Sequence, residues 1–219
     1  MESKEEEGEA EFQVSQAYQD ESIYKEMAQM SYRQFMIIFE NLPITKSEVK
    51  EGRISQEAVI ACRCVNVGLF LSNDMRRDTE VSLVIVKDGV QIITFPGKSL
   101  RRVSPDERSI SFFILKAIDL LARLPAGVVR ELDNGIRVER TTINDLSEKW
   151  NSIPLFIAEE NGTIQVDSDA KFTEGGFIYE IHTGLLPDSL FDKKPVRLSR
   201  PTSPERFILE INYQIDLNQ

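Results

Sequence analysis

The sequence predicts an α/β domain with a mainly parallel sheet and helices on both faces. Short apolar runs typical of buried strands alternate with longer stretches whose apolar residues follow helical spacing. No Pro/Gly-rich linker divides these segments, and no segment repeats with a period of about 20–50 residues. Since 219 residues suit one domain with its own core, we expect a single body rather than a repeat array.

The predicted strands are short apolar runs. Asp88 and Gly89 separate two of them, and this pair is a strong hairpin signal. The second strand of the hairpin is therefore expected to return beside the first. In chain order the predicted strands occupy residues 35–39, 82–86, 91–95, 135–138, 155–158, 177–181 and 196–198.

The predicted helices are marked by apolar spacing and by their start signals. Apolar residues at helical spacing predict a long helix over residues 55–70. Ser104, Pro105 and Glu107 supply an N-cap, a first-turn proline and a capping box for a helix that runs to about residue 124. Further helical segments are predicted at residues 145–150, 186–191 and 203–217.

The net charge of −10 is unevenly distributed. Residues 1–22 contain eight acidic residues and only Lys4 as a cation, which gives −7 there and leaves −3 for the rest. We expect residues 1–30 to form an acidic, disordered or loosely helical tail, and residues 31–219 to form one domain. Because the domain is close to neutral, the acidic total does not exclude a nucleic-acid partner.

Several classes of protein are disfavoured by what the sequence lacks. There is no apolar signal peptide, and no run approaches the roughly 18–20 apolar residues that span a bilayer. Cys62 and Cys64 stand too close together for an unstrained disulfide, so reduced thiols are expected. The single histidine, His182, excludes histidine-rich metal motifs. We therefore expect a cytoplasmic protein with no membrane segment and no metal.

Two places carry residues that are suited to chemistry. Residues 73–78 hold Arg76, Arg77 and Asp78 in a turn, where arginine forks suit a phosphate or a base carbonyl oxygen. This cluster is either an ordinary surface ion-pair group or a site. His182 follows a predicted strand, so it is either a hydrogen-bonded loop residue or the wall of a pocket. No glycine-rich dinucleotide or P-loop motif accompanies them.

Five motifs in series resemble the archaeal tRNA pseudouridine-54 N1-methyltransferases of the SPOUT superfamily. The match is close over residues 34–121 and continues weakly to the C-terminus through residues 155–162, 182–185 and 196–199. The motifs are Arg63-Cys-Val-Asn66, Leu69-Phe-Leu-Ser72, Arg76-Arg-Asp78, Phe95-x-Gly97-x-x-Leu-Arg101 and Pro105-Asp-Glu-Arg-Ser109.

The resemblance implies a SPOUT-type fold, in which the C-terminal part of a parallel α/β sheet is tied in a trefoil knot. It also implies that S-adenosylmethionine binds against the knot loops and that the protein is a homodimer with its active site near the interface. The implied reaction is methylation of N1 of a pseudouridine in the T-loop of tRNA, without a metal.

The resemblance also implies roles for individual residues. Asp78 would accept the proton that leaves N1, and Arg76 and Arg77 would stabilise charge on a ring oxygen. The residues expected to contact RNA are Arg63, Asn66 and Arg108. The residues expected to hold the cofactor are Ala158, Glu180, His182, Gly184, Leu198 and Ser199.

The sequence departs from the family pattern on the cofactor side. The family's Gly-Asp-His-x-Gly-Leu loop reads Glu180-Ile-His-Thr-Gly-Leu185 here, so that a glutamate adds bulk and charge where glycine permits close approach. The later Ser-Leu-Gly-Pro loop reads Arg197-Leu-Ser-Arg200. Two interpretations therefore stay open: an active methyltransferase, on tRNA or on ribosomal pseudouridine, and a catalytically silent relative that binds RNA or a protein.

Overall fold

The computed structural model describes residues 33–166, 174–191 and 194–217. The acidic tail predicted at residues 1–30 lies outside these ranges. The described strands are β1 (Arg33–Phe39), β2 (Phe70–Leu71), β3 (Asp74–Met75), β4 (Thr79–Ile85), β5 (Val90–Pro96), β6 (Val128–Glu131), β7 (Arg137–Thr141), β8 (Leu155–Glu159), β9 (Gly175–Glu180) and β10 (Val196–Ser199). The described helices are α1 (Lys46–Glu51), α2 (Gln56–Leu69), α3 (Glu107–Leu121), α4 (Ile143–Trp150) and α5 (Pro204–Leu217), with a 3₁₀ turn at Asp188–Leu190.

Eight strands form one mixed sheet in the order β10-β8-β9-β1-β4-β5-β7-β6. Neighbours from β10 to β4 are parallel, whereas β5, β7 and β6 are added antiparallel. This confirms the predicted α/β class and the hairpin between β4 and β5. Strands β2 and β3 form a separate two-stranded hairpin, in which Asn73 takes the left-handed conformation with φ 66°.

Side chains of β1 alternate between two cores. Phe35 and Ile37 pack with helices α2, α3 and α5 on one face, whereas Met36 and Ile38 pack with α4 on the other. This alternation follows from the two-residue period of a strand, and it confirms the prediction of helices on both faces.

Two predicted helix starts differ from the structure, and two short elements were not predicted. Asp106, not Ser104, caps α3, because its carboxylate accepts a hydrogen bond from the Ser109 amide at 2.8 Å. Helix α4 begins earlier than predicted, with a capping box between Thr142 and Asp145. The short helix α1 and the strand β6 were not predicted, since each is too short for a clear period.

The C-terminal strands are interleaved rather than sequential. Strand β9 lies between β8 and β1, and β10 lies on the far side of β8. The turn after β8 packs tightly on β10, because a Cβ at Gly162 would lie 2.0 Å from the Leu198 carbonyl oxygen. The Ser199 amide also donates to the Ile164 carbonyl at 2.8 Å. The trefoil knot itself stays a prediction.

Candidate active site and cofactor cleft

The predicted catalytic and cofactor residues lie at opposite edges of the parallel sheet. Arg33 begins β1 and is in register with Thr79 and Gly175, so the Arg76-Arg-Asp78 segment lies at the amino edge. The strands β8, β9 and β10 end at the carboxyl edge, where the predicted cofactor residues lie. Since a strand rises about 3.3 Å per residue, β1 separates the two edges by about 20 Å. One chain therefore does not bring the two groups together.

The amino edge is organised around Arg33, which is 1% exposed. Its guanidinium lies 3.1 Å from an Asp78 carboxylate oxygen and 2.6 Å from an Asp216 oxygen, and it donates to the Asn212 side-chain oxygen at 2.9 Å. Arg76 contacts the second Asp216 oxygen at 3.0 Å. Two of the three predicted catalytic residues, Asp78 and Arg76, are thus fixed by Arg33 and Asp216, partners that the sequence did not reveal.

Asp216 is held in its ionised form. Burial raises its pKa, but hydrogen bonds and charge from Arg76 and Arg33 outweigh burial and lower the pKa below its ordinary value of 3.8. Asp78 is anchored in a similar way, because its second oxygen lies 3.3 Å from the Thr79 hydroxyl, which donates to it. The carboxylate side chain of Asp78 is nevertheless 27% exposed, so one approach to it stays open.

Arg77 is exposed but its position is fixed by the loop after β5. One nitrogen of its guanidinium donates a hydrogen bond to the Gly97 carbonyl oxygen at 2.9 Å. The same nitrogen donates a longer one to the Leu100 carbonyl oxygen at 3.5 Å. A Cβ at Gly97 would lie 1.9 Å from the Arg76 carbonyl oxygen. The glycine of the Phe95-x-Gly97 motif is therefore required so that the arginine turn can rest on this loop.

The three predicted RNA-contacting residues lie in two places. Arg63 is exposed and lies 3.8 Å from Glu205, and the Asn66 side chain donates to the Pro105 carbonyl, so both line one small cleft between α2, α3 and the start of α5. Arg108 lies instead in a groove between α1 and α3. Cys62 also lines the first cleft, but burial, with a smaller contribution from Glu107, raises the pKa of its thiol to about 12. The thiol is therefore protonated rather than nucleophilic.

The carboxyl edge holds a cleft of about 530 Å³ between the ends of β8, β9 and β10. Of the predicted cofactor residues, Ala158, Glu180 and Gly184 line it. His182 is exposed and is not among the lining residues, Leu198 is buried in the core, and Ser199 is half-buried. The cleft combines apolar walls, acidic groups and cations; its lining includes Ile157, Leu186, Glu159, Glu160, Asn161, Lys194 and Arg200.

The contacts of the Glu180 side chain give a physical reason for the departure from the family pattern. Its buried carboxylate accepts hydrogen bonds from the amides of Gly184, Leu185 and Leu186 at 2.6, 3.1 and 3.3 Å. Successive amides of a turn form an anion-binding nest, which this side chain fills from within the chain. The glutamate therefore shapes the loop, and its carboxylate is already satisfied by three amides where it lines the cleft.

Arg200 was not among the predicted cofactor residues, although the Arg197-Leu-Ser-Arg200 segment departs from the family pattern. Its guanidinium donates to the Glu180 carbonyl at 2.6 Å and lies 4.2 Å above the Tyr179 ring. One of its terminal nitrogens is buried and has no hydrogen-bond partner within the described ranges. A buried donor of this kind is costly unless a ligand satisfies it.

The sequence model of a family described as "Putative SAM-dependent RNA methyltransferase" matches residues 33–189. The chain belongs to this family. A tRNA (pseudouridine(54)-N(1))-methyltransferase of Methanococcus maripaludis strain C7 is 35% identical over 161 residues, which cover 68% of this chain and 78% of that protein. An enzyme of the same name from Methanosarcina mazei is 34% identical over 131 residues, or 59% of this chain and 61% of that protein.

The fold also resembles that of a solved structure, Nep1 of Archaeoglobus fulgidus bound to S-adenosylhomocysteine. The TM-score is 0.52 at 13% identity, and the match covers 86% of this chain and 98% of that one. This similarity confirms the predicted α/β fold class, and the family match confirms S-adenosylmethionine as the expected cofactor. The curated relatives carry enzyme names, which support the active interpretation rather than the silent one.

Within residues 33–166, 174–191 and 194–217, no cluster of three or more His, Cys, Asp or Glu side chains could hold a metal ion. No helix in the same ranges is long and apolar enough to cross a membrane.

Proposed function

We propose that the protein methylates N1 of pseudouridine 54 in tRNA, with S-adenosylmethionine as the methyl donor. The observation that carries this proposal is the 35% identity over 161 residues with an enzyme named for that reaction. The two edges of the sheet supply side chains whose chemistry suits the two reactants. We place the activity in one domain at residues 31–219, with a knotted C-terminal part, in the cytoplasm.

The carboxyl-edge cleft suits S-adenosylmethionine in size and in chemistry. Its volume of about 530 Å³ lies within the range of small-molecule sites. Ile157, Ala158 and Leu186 offer an apolar wall for the adenine, and Glu159 and Glu160 offer acceptors for ribose hydroxyls and an ammonium. The unpartnered nitrogen of Arg200 suits the carboxylate of the cofactor. The bound cofactor would supply an electrophilic methyl group.

The amino-edge residues would accept the proton that leaves the base and stabilise the charge that develops on it. N1 of pseudouridine carries a hydrogen, which leaves as a proton when the methyl group is added. Asp78, oriented by Arg33, would accept this proton, and Arg77 would stabilise the negative charge that develops on a neighbouring ring oxygen. Arg76 is paired with Asp216, so its role would be to hold the turn in place.

A second copy of the chain would bring the two edges together. Leu209, Tyr213 and Leu217 are 54%, 59% and 62% exposed, and their spacing of four residues puts them on one face of α5. An exposed apolar stripe of this kind is typical of an association surface. We infer a homodimer in which the amino edge of one copy faces the carboxyl edge of the other.

The proposal is tested by binding and by methyl transfer. Calorimetry should detect S-adenosylmethionine, and a T-arm hairpin with pseudouridine at position 54 should be methylated. The same hairpin with uridine should not react, since N1 of uridine is bonded to the ribose. A hairpin from ribosomal RNA that contains pseudouridine tests the other substrate. Absence of binding at millimolar cofactor, or transfer to ribosomal RNA alone, would reject the proposal.

A further inference from the structure

A groove of about 700 Å³ between α1 and α3 has no role in the proposed methyl transfer. Its floor is apolar and small, and its rim is charged. Val49, Phe112 and Leu115 form the floor, and the charged rim residues are Lys46, Lys50, Arg108, Lys116, Asp106 and Asp119.

Phe112 is the unusual member of the floor, because 52% of its surface is exposed. Helix α3 buries Ile110, Ile114 and Ala117 toward the core, and Phe112 lies on the opposite side. The ring of Phe113 meets it edge-on, with centroids 5.3 Å apart and planes at 75°. This contact supports the orientation of the Phe112 ring while leaving part of the ring open to solvent.

The rim has an excess of positive charge that the described residues do not neutralise. Lys46, Lys50, Arg108 and Lys116 form no salt bridge with any residue that the structure describes. Of the two acids, Asp106 is already engaged in capping α3. Four cations around one exposed aromatic ring are complementary to a phosphodiester chain that presents an unpaired base.

We propose that this groove binds RNA outside the methylated nucleotide, with an unpaired base stacked on Phe112 and its phosphates held by the four cations. The inference rests on the proposed function, which makes the RNA a tRNA. Of the three floor residues only Phe112 is strongly exposed, so the floor lacks the row of apolar pockets that an amphipathic helix requires. The charge of the rim and the single exposed ring together favour RNA over a protein partner.

The test measures RNA affinity by fluorescence anisotropy over a salt series. The probe is a full-length tRNA transcript with pseudouridine introduced at position 54. Phe112→Leu should raise Kd about fivefold or more, while Phe112→Tyr should keep the wild-type Kd, because stacking needs an aromatic ring. Lys116→Ala should reduce the slope of log K against log salt by about 0.7–0.9, since one phosphate contact is lost.

Kinetics give a second readout on the same variants. Phe112→Leu should raise KM for tRNA and leave kcat unchanged, because the groove does not touch the reacting atoms. Lys87→Ala is the matched control: this exposed lysine lies in the hairpin between β4 and β5 and should change neither Kd nor the salt slope.

The possible failures are distinguishable. If Phe112→Leu and Lys116→Ala bind tRNA like the wild type while methylation proceeds, the groove inference is overturned and the proposed function stands. Equal weakening by Phe112→Leu and Phe112→Tyr would overturn the stacked base. If the wild type methylates no pseudouridine, the proposed function fails, whereas the anisotropy series still decides whether the groove binds RNA.

Discussion

The two edges of the parallel sheet differ in how their charges are satisfied. At the amino edge, Arg33, Asp78, Arg76 and Asp216 form a continuous network within the chain. At the carboxyl edge, Glu180 is satisfied by loop amides, but Arg200 keeps one buried nitrogen without a partner in the part of the chain that the structure describes. Nε of Arg33 and Nε of Arg76 are also buried without a partner in the described residues, but both guanidinium groups are held by carboxylates. The first edge is therefore preorganised by charge pairs, whereas the second has a terminal guanidinium nitrogen, on a residue that lines the cleft, available for a ligand.

This difference fits the division of labour in the proposed reaction. Groups that stabilise a developing charge are most effective when they are fixed before the substrate arrives. A cofactor cleft needs instead donors and acceptors that the ligand completes. Four experiments test this contrast, in order of decreasing expected effect.

Arg33→Met should give the largest effect, a loss of about 3–5 kcal/mol in the free energy of unfolding, because the carboxylates of Asp78 and Asp216 lose their buried partner. Urea denaturation followed by circular dichroism measures it. Arg53→Met is the control: the side chain of Arg53 is 82% exposed in its ion pair and should contribute almost nothing. Equal stability of the two variants would show that the network is not preorganised.

Arg77→Ala and Arg200→Ala should each lower methyl transfer by about 10²-fold or more, for different reasons at the two edges. If a site takes one edge from each copy, mixing the two inactive variants produces heterodimers with one intact site. Activity should then recover to about a quarter of the wild-type value, as random exchange in a two-fold dimer gives. No recovery after exchange would contradict the shared site.

Glu180→Gln should lower the stability or the cofactor affinity of the carboxyl edge and leave the amino edge unchanged. The variant keeps the shape of the side chain but loses the charge that three amides share, so a cost of about 1–3 kcal/mol is expected, visible as lower stability or weaker S-adenosylmethionine binding. Thermal unfolding and calorimetry measure the two. Glu160→Gln, in the same cleft but without that loop contact, should not change stability.

Asp216→Asn should give the smallest effect, a small loss of stability at neutral pH that disappears in acid. Because its folded pKa lies below 3.8, its contribution to stability is complete above that value and is lost as pH falls further, through the folded pKa. The stability difference between wild type and Asp216→Asn should therefore be constant from about pH 7 to 5 and shrink below. The side chain is 42% exposed, which keeps the difference small. A difference that grows in acid would contradict this.

The sequence revealed the local parts of this molecule and missed the non-local ones. Asp88 and Gly89 were enough to predict the β4–β5 hairpin, since the signal lies within the turn. Arg33 could not be identified as the centre of a network, because Asn212 and Asp216 reach it from about 180 residues away in the chain. Ser104 and Asp106 are both residue types that cap helices. The structure shows that Asp106 is the cap of α3, because its side chain accepts from the Ser109 amide.

The same division between local and non-local features holds for the candidate site. Arg76, Arg77 and Asp78 were found because they are adjacent in a motif. The fit of Glu180 was not foreseen, because an acidic residue in place of glycine looked like a loss until its three amide contacts were located. Arg200 acts through contacts with Tyr179 and the end of β9, which no spacing rule predicts.

Because β9 lies between β8 and β1, one edge of β1 stays unpaired during synthesis until β9 has been made. Ile37 pairs with Tyr179, so at about 5–20 residues per second β1 is complete for about 7–30 s before its second neighbour is made. For that interval β1 can pair only with β4, along one edge, although its residues 35–39 are all apolar. A nascent chain stalled before residue 175 should therefore bind chaperones strongly, and release should follow once β9 has left the ribosome.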